Sequence, residues 1–341
     1  MSQRDIYVID LVNHTKFPEE KIQIFDISES IQVIPIETSD SVLIGNIFST
    51  KIEDNKVFIS SINGVFAFDS NGKYQNSIGY KGRGPAEYVS LFDFYPDNDL
   101  VWLLDRSGKK VLKYSNSGLF IEGYTLPKQQ IFTGFHYLNS STFIGFVPDN
   151  GQPNTNIMLA FFGATGITDS ILYRNPIPES KMWWMVFGEA SFIDHGVHTK
   201  FKHLFNDTLY IIQDYKLKPY TVLNLGTRKA NINARAIAAD KDPATHNIYE
   251  DMDRVFLRGE NDRYIFLEIW TELGAPKSVF FYDKKEQTIH KWKFILPEDD
   301  RIDHTTDFTP LNIDGNGNLI GYASPANEED NPIIIIAKLK K

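Results

Sequence analysis

The chain has 341 residues, 42 % of them hydrophobic, and a formal net charge of −9 from 35 basic and 44 acidic side chains, which is ample apolar surface for a core and no field for a phosphate backbone. It contains no cysteine, so disulfides, zinc–thiolate sites and a cysteine nucleophile are excluded. No stretch approaches 18 apolar residues, and MSQRDIYVIDL lacks an apolar core ahead of a cleavage site, so neither a membrane span nor a signal peptide is expected within this chain.

Residues 5–37 precede the first full unit and read as extended, in IYVIDLV, KIQIF and IQVIPIE. Two copies of one unit follow. VFISSINGVFAFDSNGKY (57–74) lies under VWLLDRSGKKVLKYSNSGLF (101–120), with Val57 over Val101, Gly64 over Gly108 and Gly72 over Gly118. Each copy reads as strand, glycine turn, strand, Asp/Asn/Ser-Gly turn, strand. A meander recurring every 40–50 residues is the signature of β-propeller blades.

Turn clusters divide the chain from Leu43 onward into six segments of about 50 residues each. The first ends near Ile78, the second near Pro127, the third near Pro178 and the fourth near Ala230. The fifth centres on NDRYIFLEIW and SVFFYDKKEQTI, and the last holds DGNGN, LIGYA and IIIIAKL. Only residues 232–256 carry helix formers, and Pro243 interrupts them, so a short helix or loop excursion is expected there. The reading is a single all-β domain over 1–341: a six-bladed propeller of four-stranded antiparallel blades. Its N-terminal segment (5–37) supplies an outer strand to the last blade, so that pairing of the two chain ends closes the ring and removes two sheet edges.

Four segments carry a resemblance. IPIETSDSVLIG (34–45), GYKGRGPAEY (79–88), FNDTLY (205–210) and VLNLG (222–226) resemble marks of a six-bladed propeller family common in gut Bacteroidetes. That family shows an Ile-Pro-Leu-Glu-Thr segment, a Gly-Pro-Gly-Glu loop and an Asn-Asp-Thr-[Leu/Ile]-Tyr strand start. Here Ile36 stands for the Leu and Ala86 for the second Gly of the loop. The resemblance runs from about residue 25 to the end. It implies an NHL-like fold, export to the periplasm or outer membrane, often as a lipoprotein, and no assigned activity.

The motifs offer few reacting groups. GYKGRGPAEY is not a phosphate cradle, because a strand and not a helix follows, and its glycines suit a crossover between blades. Arg83 and Glu87 either pair within that loop or project toward the channel mouth as ligand contacts. In DGNGN (314–318) the sixth and twelfth positions of a calcium loop are Leu319 and Pro325, so a hairpin turn is expected. DHGVH (194–198) would need a loop to converge His195 and His198 on a metal. Tandem Trp183 and Trp184 in a Pro-flanked excursion either stack on sugars or plug the core. No Gly-x-Ser-x-Gly elbow exists.

Polar residues near the innermost strands are Asp93, His136, His203, Arg254 and Asp307. The leading expectation is a non-enzymatic, monomeric binding or scaffold protein of the cell envelope. It would need no cofactor and would engage a glycan, peptide or protein, not nucleic acid, through Arg83, Glu87, Asp93, His136, Trp183, Trp184, His203 and Asp307. The alternatives are a metal-dependent lyase or lactonase, with Asp93, His136, His203 and Asp307 around a divalent cation in the channel, and a carbohydrate platform at Trp183–Trp184.

Overall fold

The computed structural model describes residues 6–40, 42–126, 132–139, 142–148, 156–174, 188–230, 252–271 and 277–341. They form a six-bladed β-propeller. Blade one is Ile47–Glu53, Lys56–Ser61, Gly64–Phe68 and Tyr74–Ser77, and blade two is Leu91–Asp97, Leu100–Asp105, Lys110–Ser115 and Phe120–Thr125. Blade three is Gly134–Asn139, Thr142–Phe146, Ile157–Gly163 and Gly166–Leu172. Blade four comprises Ala190–His195, His198–His203, Thr208–Gln213 and Lys216–Asn224, and blade five Arg254–Glu260, Tyr264–Trp270, Ser278–Asp283 and Thr288–Ile295. Blade six takes Thr309–Ile313, Asn318–Ala323 and Ile333–Leu339 from the C-terminus and Ser28–Pro35 from the N-terminus, with Ile34 opposite Ile334.

The predicted closure is therefore present. The rest of the N-terminal segment does more than expected: Tyr7–Asp10 adds a parallel fifth strand to blade four, and Glu19–Gln23 adds a fifth strand to blade five. Each covers a sheet edge that would otherwise present unpaired backbone.

The chain divides into two compact units, one of Met1–Glu20 with Ile131–Trp292 and one of Lys21–Gln130 with Lys293–Lys341. In the second, Ile34, Val57, Ile59, Phe68, Ile320 and Ile334 form one core between faces of neighbouring sheets, and Phe58, Val65, Phe94, Leu103, Leu112 and Tyr114 form the next. The second and third strands of blade one are buried on both faces, which is why they read as continuous apolar runs. The outermost strand Phe120–Thr125 alternates between exposed and half-buried instead.

The repeat seen in the sequence is real, but its first glycine match is corrected. Ser61 pairs with Gly64 across a two-residue turn, whereas Asp105 pairs with Lys110 across a four-residue turn. Lys110, not Gly108, is thus the counterpart of Gly64. The following turns do correspond. Asp69 Oδ1 accepts from Asn71 N and Lys73 N at 2.9 and 3.0 Å, and Gly72 sits at φ 82°. Asp314 Oδ1 accepts from Asn316 N and Asn318 N at 3.0 and 2.8 Å, which makes DGNGN the expected hairpin turn. A Cβ at Gly72 would meet Pro35 O at 2.0 Å, so this glycine lets the turn nest against the closing strand.

Of the predicted helical excursion, residues 231–251 lie outside the described residues, while Arg254 to Phe256 belong to a strand. No helix among the described residues is long and apolar enough to cross a membrane.

Candidate functional site

One end of blades three to five gathers a dense polar cluster. The innermost strand of blade four ends at His195 and the next begins at His198, so Gly196 and Val197 make the turn and the two histidines stand opposite each other in register. Spacing along one strand would have set them on opposite sides; two antiparallel strands set them on the same side.

Beside them Glu260, at the end of the innermost strand of blade five, is fully buried. Lys200 reaches its Oε2 at 2.5 Å and Lys284 its Oε1 at 2.8 Å, while the Tyr220 hydroxyl donates to Oε1 at 2.6 Å. Burial raises the Glu260 carboxyl, but the two ammonium groups more than reverse this and hold it below the usual carboxylate range. His195 lies 3.7 Å from Glu260 through Nδ1 and 3.2 Å from Asp262 through Nε2. Burial pushes its pKa below the ordinary value; Lys200 and Lys284 add to that, against Glu260 and Asp262. A neutral ring that donates from Nε2 to Asp262 and accepts at Nδ1 from Lys200, at 3.4 Å, satisfies both neighbours.

His136 comes to the same end from the innermost strand of blade three. Its Nε2 lies 2.9 Å from Asp194 Oδ1, and the Thr199 hydroxyl donates to that same oxygen at 2.8 Å. The trio is not a proton relay. A relay sets the carboxylate on one ring nitrogen and the hydroxyl on the other, whereas Thr199 here lies 3.5 Å from the nitrogen that already meets Asp194.

At the opposite end of the same hairpin, His203 closes the second strand of blade four, 3.3 Å from the buried Glu189 and boxed by Phe146, Tyr173 and Phe205. Lys202 is wholly buried beside it, donating to His203 O at 2.7 Å and to Asn206 O. Burial lowers its pKa to about 7 against a weak opposing pull from Asp207, which is itself paired with Lys229. Arg254 lays its guanidinium 5.0 Å over the Trp270 ring.

In the second unit, Asp93 on the innermost strand of blade two lies 3.5 Å from Lys51, whose ammonium also sits 4.8 Å from the Tyr95 ring. Asp307 precedes the innermost strand of blade six and is well exposed, 2.7 Å from Lys293. It lies on a cleft of about 260 Å³ lined also by Lys21, Phe294, His304 and Phe308. Glu87 does not pair with Arg83: its Oε2 accepts from Gly84 N at 2.7 Å, and Arg83 stands exposed. A Cβ at Gly82 would meet that oxygen at 2.0 Å. Trp183 and Trp184 lie outside the described residues.

Asp93 and Asp307 therefore fall in one unit, His136 and His203 in the other, and each has a local charged partner. Among the described residues no three His, Asp or Glu side chains stand together in a group that could hold a metal ion. The sequence reading missed Lys200, Glu260 and Lys284. Their only signal was a charged residue inside an apolar strand pattern, which a solvated face also produces.

The comparisons accord with this fold. A Bacteroides fragilis protein inferred to be exported is 16 % identical, with 99 % of this chain and 100 % of that one covered and a TM-score of 0.74. A member of the DUF4221 family from Bacteroides vulgatus is 14 % identical, with 92 % and 98 % covered and a TM-score of 0.52. At these identities the likeness is one of fold alone. No curated protein matches. The model of the DUF4934 family, a domain of unknown function, matches residues 6–338, and the chain belongs to that family.

Proposed function

We propose that this chain is a non-enzymatic binding propeller of the bacterial cell envelope, which engages a glycan, peptide or protein partner on one rim. The inferred export of the Bacteroides fragilis protein of the same fold supports a periplasmic or outer-membrane-associated location. The observation that carries the reading is the arrangement around Asp194 and Glu260. Thr199 and His136 converge on a single Asp194 oxygen, and His195 has one nitrogen facing a lysine and the other an aspartate. General base or nucleophilic chemistry needs a base aimed at a reacting group, and here the bases face fixed partners. What this end of the propeller offers a partner is a half-exposed set of acceptors and donors, Asp194, His195 and Asp262, held in place by buried ions.

The test is retention of the chain on immobilised polysaccharides and peptides, with the bound material sized before and after long incubation, in EDTA and in separate divalent cations. Binding with unchanged ligand length in every condition is expected. Shortened or eliminated products that appear only with one cation would overturn the reading in favour of a metal-dependent lyase or lactonase.

A further inference from the structure

Blade two carries a corner that the net charge of the chain conceals. The loop 79–88 runs against the hairpin joining Leu100–Asp105 to Lys110–Ser115: Arg106 N donates to Ser90 O at 3.1 Å and Lys110 Nζ to Gly84 O at 3.0 Å. Together these segments bring Lys81, Arg83, Arg106, Lys109 and Lys110 to one corner, and none of them has an ion-pair partner among the described residues. The two carboxylates of the corner are engaged by backbone amides. Glu87 accepts from Gly84 N at 2.7 Å. Asp105, fully buried, accepts from Val89 N, Ser90 N and Gly108 N at 2.9, 3.0 and 2.9 Å. Each carboxylate serves the backbone that shapes the corner, so the outer surface is left cationic.

We propose that this corner binds an acidic polysaccharide, one whose sugars carry carboxylate or sulfate groups; the assignment rests on the binding reading and names its partner class. Three features argue for it. The loop is preorganised: Tyr114 donates to Ala86 O at 2.7 Å and Gly82 N to Tyr88 O at 2.9 Å, so little ordering is left to be done on binding. Tyr80, 67 % exposed beside Lys81, offers a ring face on which a sugar stacks. The charge density also discriminates. A nucleic acid carries a charge about every 1.7 Å along its duplex axis and would meet the repulsion of a chain at −9, whereas a polymer charged once or twice per sugar spaces its charges more widely and matches a few cations at one corner.

The experiment uses the full chain and heparin as the probe, with neutral dextran and phosphatidylglycerol vesicles alongside. Wild type is expected to bind heparin in low salt, to ignore dextran, and to release as salt rises. The triple variant Lys81→Ser, Arg83→Ser, Lys109→Asn should lose roughly a hundredfold in affinity, from about fivefold per cation. Its logarithmic salt slope should fall by about two to three. A control triple of equal charge change, Lys73→Ser, Lys285→Ser, Lys341→Ser, should keep wild-type retention. Equal loss in both triples would reduce the effect to net charge and overturn the site. Vesicle binding without heparin binding would assign the corner to a bilayer and overturn the polysaccharide. No heparin binding at all would remove this partner class while leaving retention on other glycans or peptides to stand. Heparin bound and then shortened would instead break the underlying binding reading.

Discussion

Lys202 should make the stability of this chain depend on pH in the alkaline direction. It is wholly buried, its amine donates to the His203 and Asn206 carbonyls, and its pKa falls to about 7 from the ordinary lysine value of 10.5. Between those two values the unfolded chain holds a proton that the native chain lacks, so the contribution of this group to stability rises with pH across that window. As pH falls through the window the contribution is lost, and below about 7 the native state must carry a buried charge. Two pH units inside the window correspond to about 2–3 kcal/mol. Lys202→Met keeps the stem volume, removes the titration and leaves two carbonyls without this donor, at about 1 kcal/mol each. Equilibrium urea unfolding of both proteins at pH 7, 8 and 9 reads the difference. The variant should be at its best relative to wild type at pH 7 and lose about 2–3 kcal/mol of that advantage by pH 9. A difference that stays constant within about 0.5 kcal/mol over those pH values would refute the buried neutral lysine.

Three further substitutions probe other parts of the argument. Glu260→Gln leaves Lys200 and Lys284 buried without their carboxylate and should cost about 3–5 kcal/mol in urea unfolding. Because the folded pKa of Glu260 is depressed, its contribution is complete above the unfolded value and lost as pH falls through the folded one, so the Gln variant should lose less stability than wild type on acidification. Gly72→Ala should cost about 2 kcal/mol more than Gly45→Ala in thermal or urea melts: both have positive φ, but only Gly72 would drive a Cβ to 2.0 Å from a backbone carbonyl. Asp105→Asn replaces one of two acceptor oxygens with a donor against Val89 N or the Ser90 and Gly108 amides, and should cost about 2 kcal/mol, with faster amide exchange at Val89 as its signature.

The architecture was legible because blades are local. Strand, turn and strand follow within about 20 residues, and Asp69, Ser115 and Asp314 mark the same turn with a glycine three residues on. Closure by Ser28–Pro35 was also readable, since an extended stretch directly ahead of the first full unit lies where the chain's other end must meet it to complete a ring. The parallel strand Tyr7–Asp10 was not, because its partner lies more than 200 residues away and nothing in YVID names blade four. The site was legible only residue by residue. His136 and Asp93 were singled out, but their partners Asp194 and Lys51 depend on which strands stack, and periodicity within one strand carries no such information.

The basic corner shows why composition misleads on partners. A net charge of −9 and the lack of a long basic run both argue against a concentrated basic face, yet such a face needs neither a positive total nor a run. Lys81 and Arg83 come from one loop and Arg106, Lys109 and Lys110 from a hairpin some 20 residues later, so no run exists to be counted. The two carboxylates within the same segments count against them in any sum of charges. In the fold those carboxylates are turned onto backbone amides, Glu87 onto Gly84 and Asp105 onto Val89, Ser90 and Gly108. Carboxylate oxygens engaged by backbone amides stabilise the loop and are not free to pair with the cations beside them, and five cations outnumber two carboxylates in these segments. The excess acidity of the chain repels polyanions as dense as a nucleic acid. The sorting of charges between inside and outside, set by the turn geometry at Gly82, Gly84 and Gly108, then gives one corner the opposite sign.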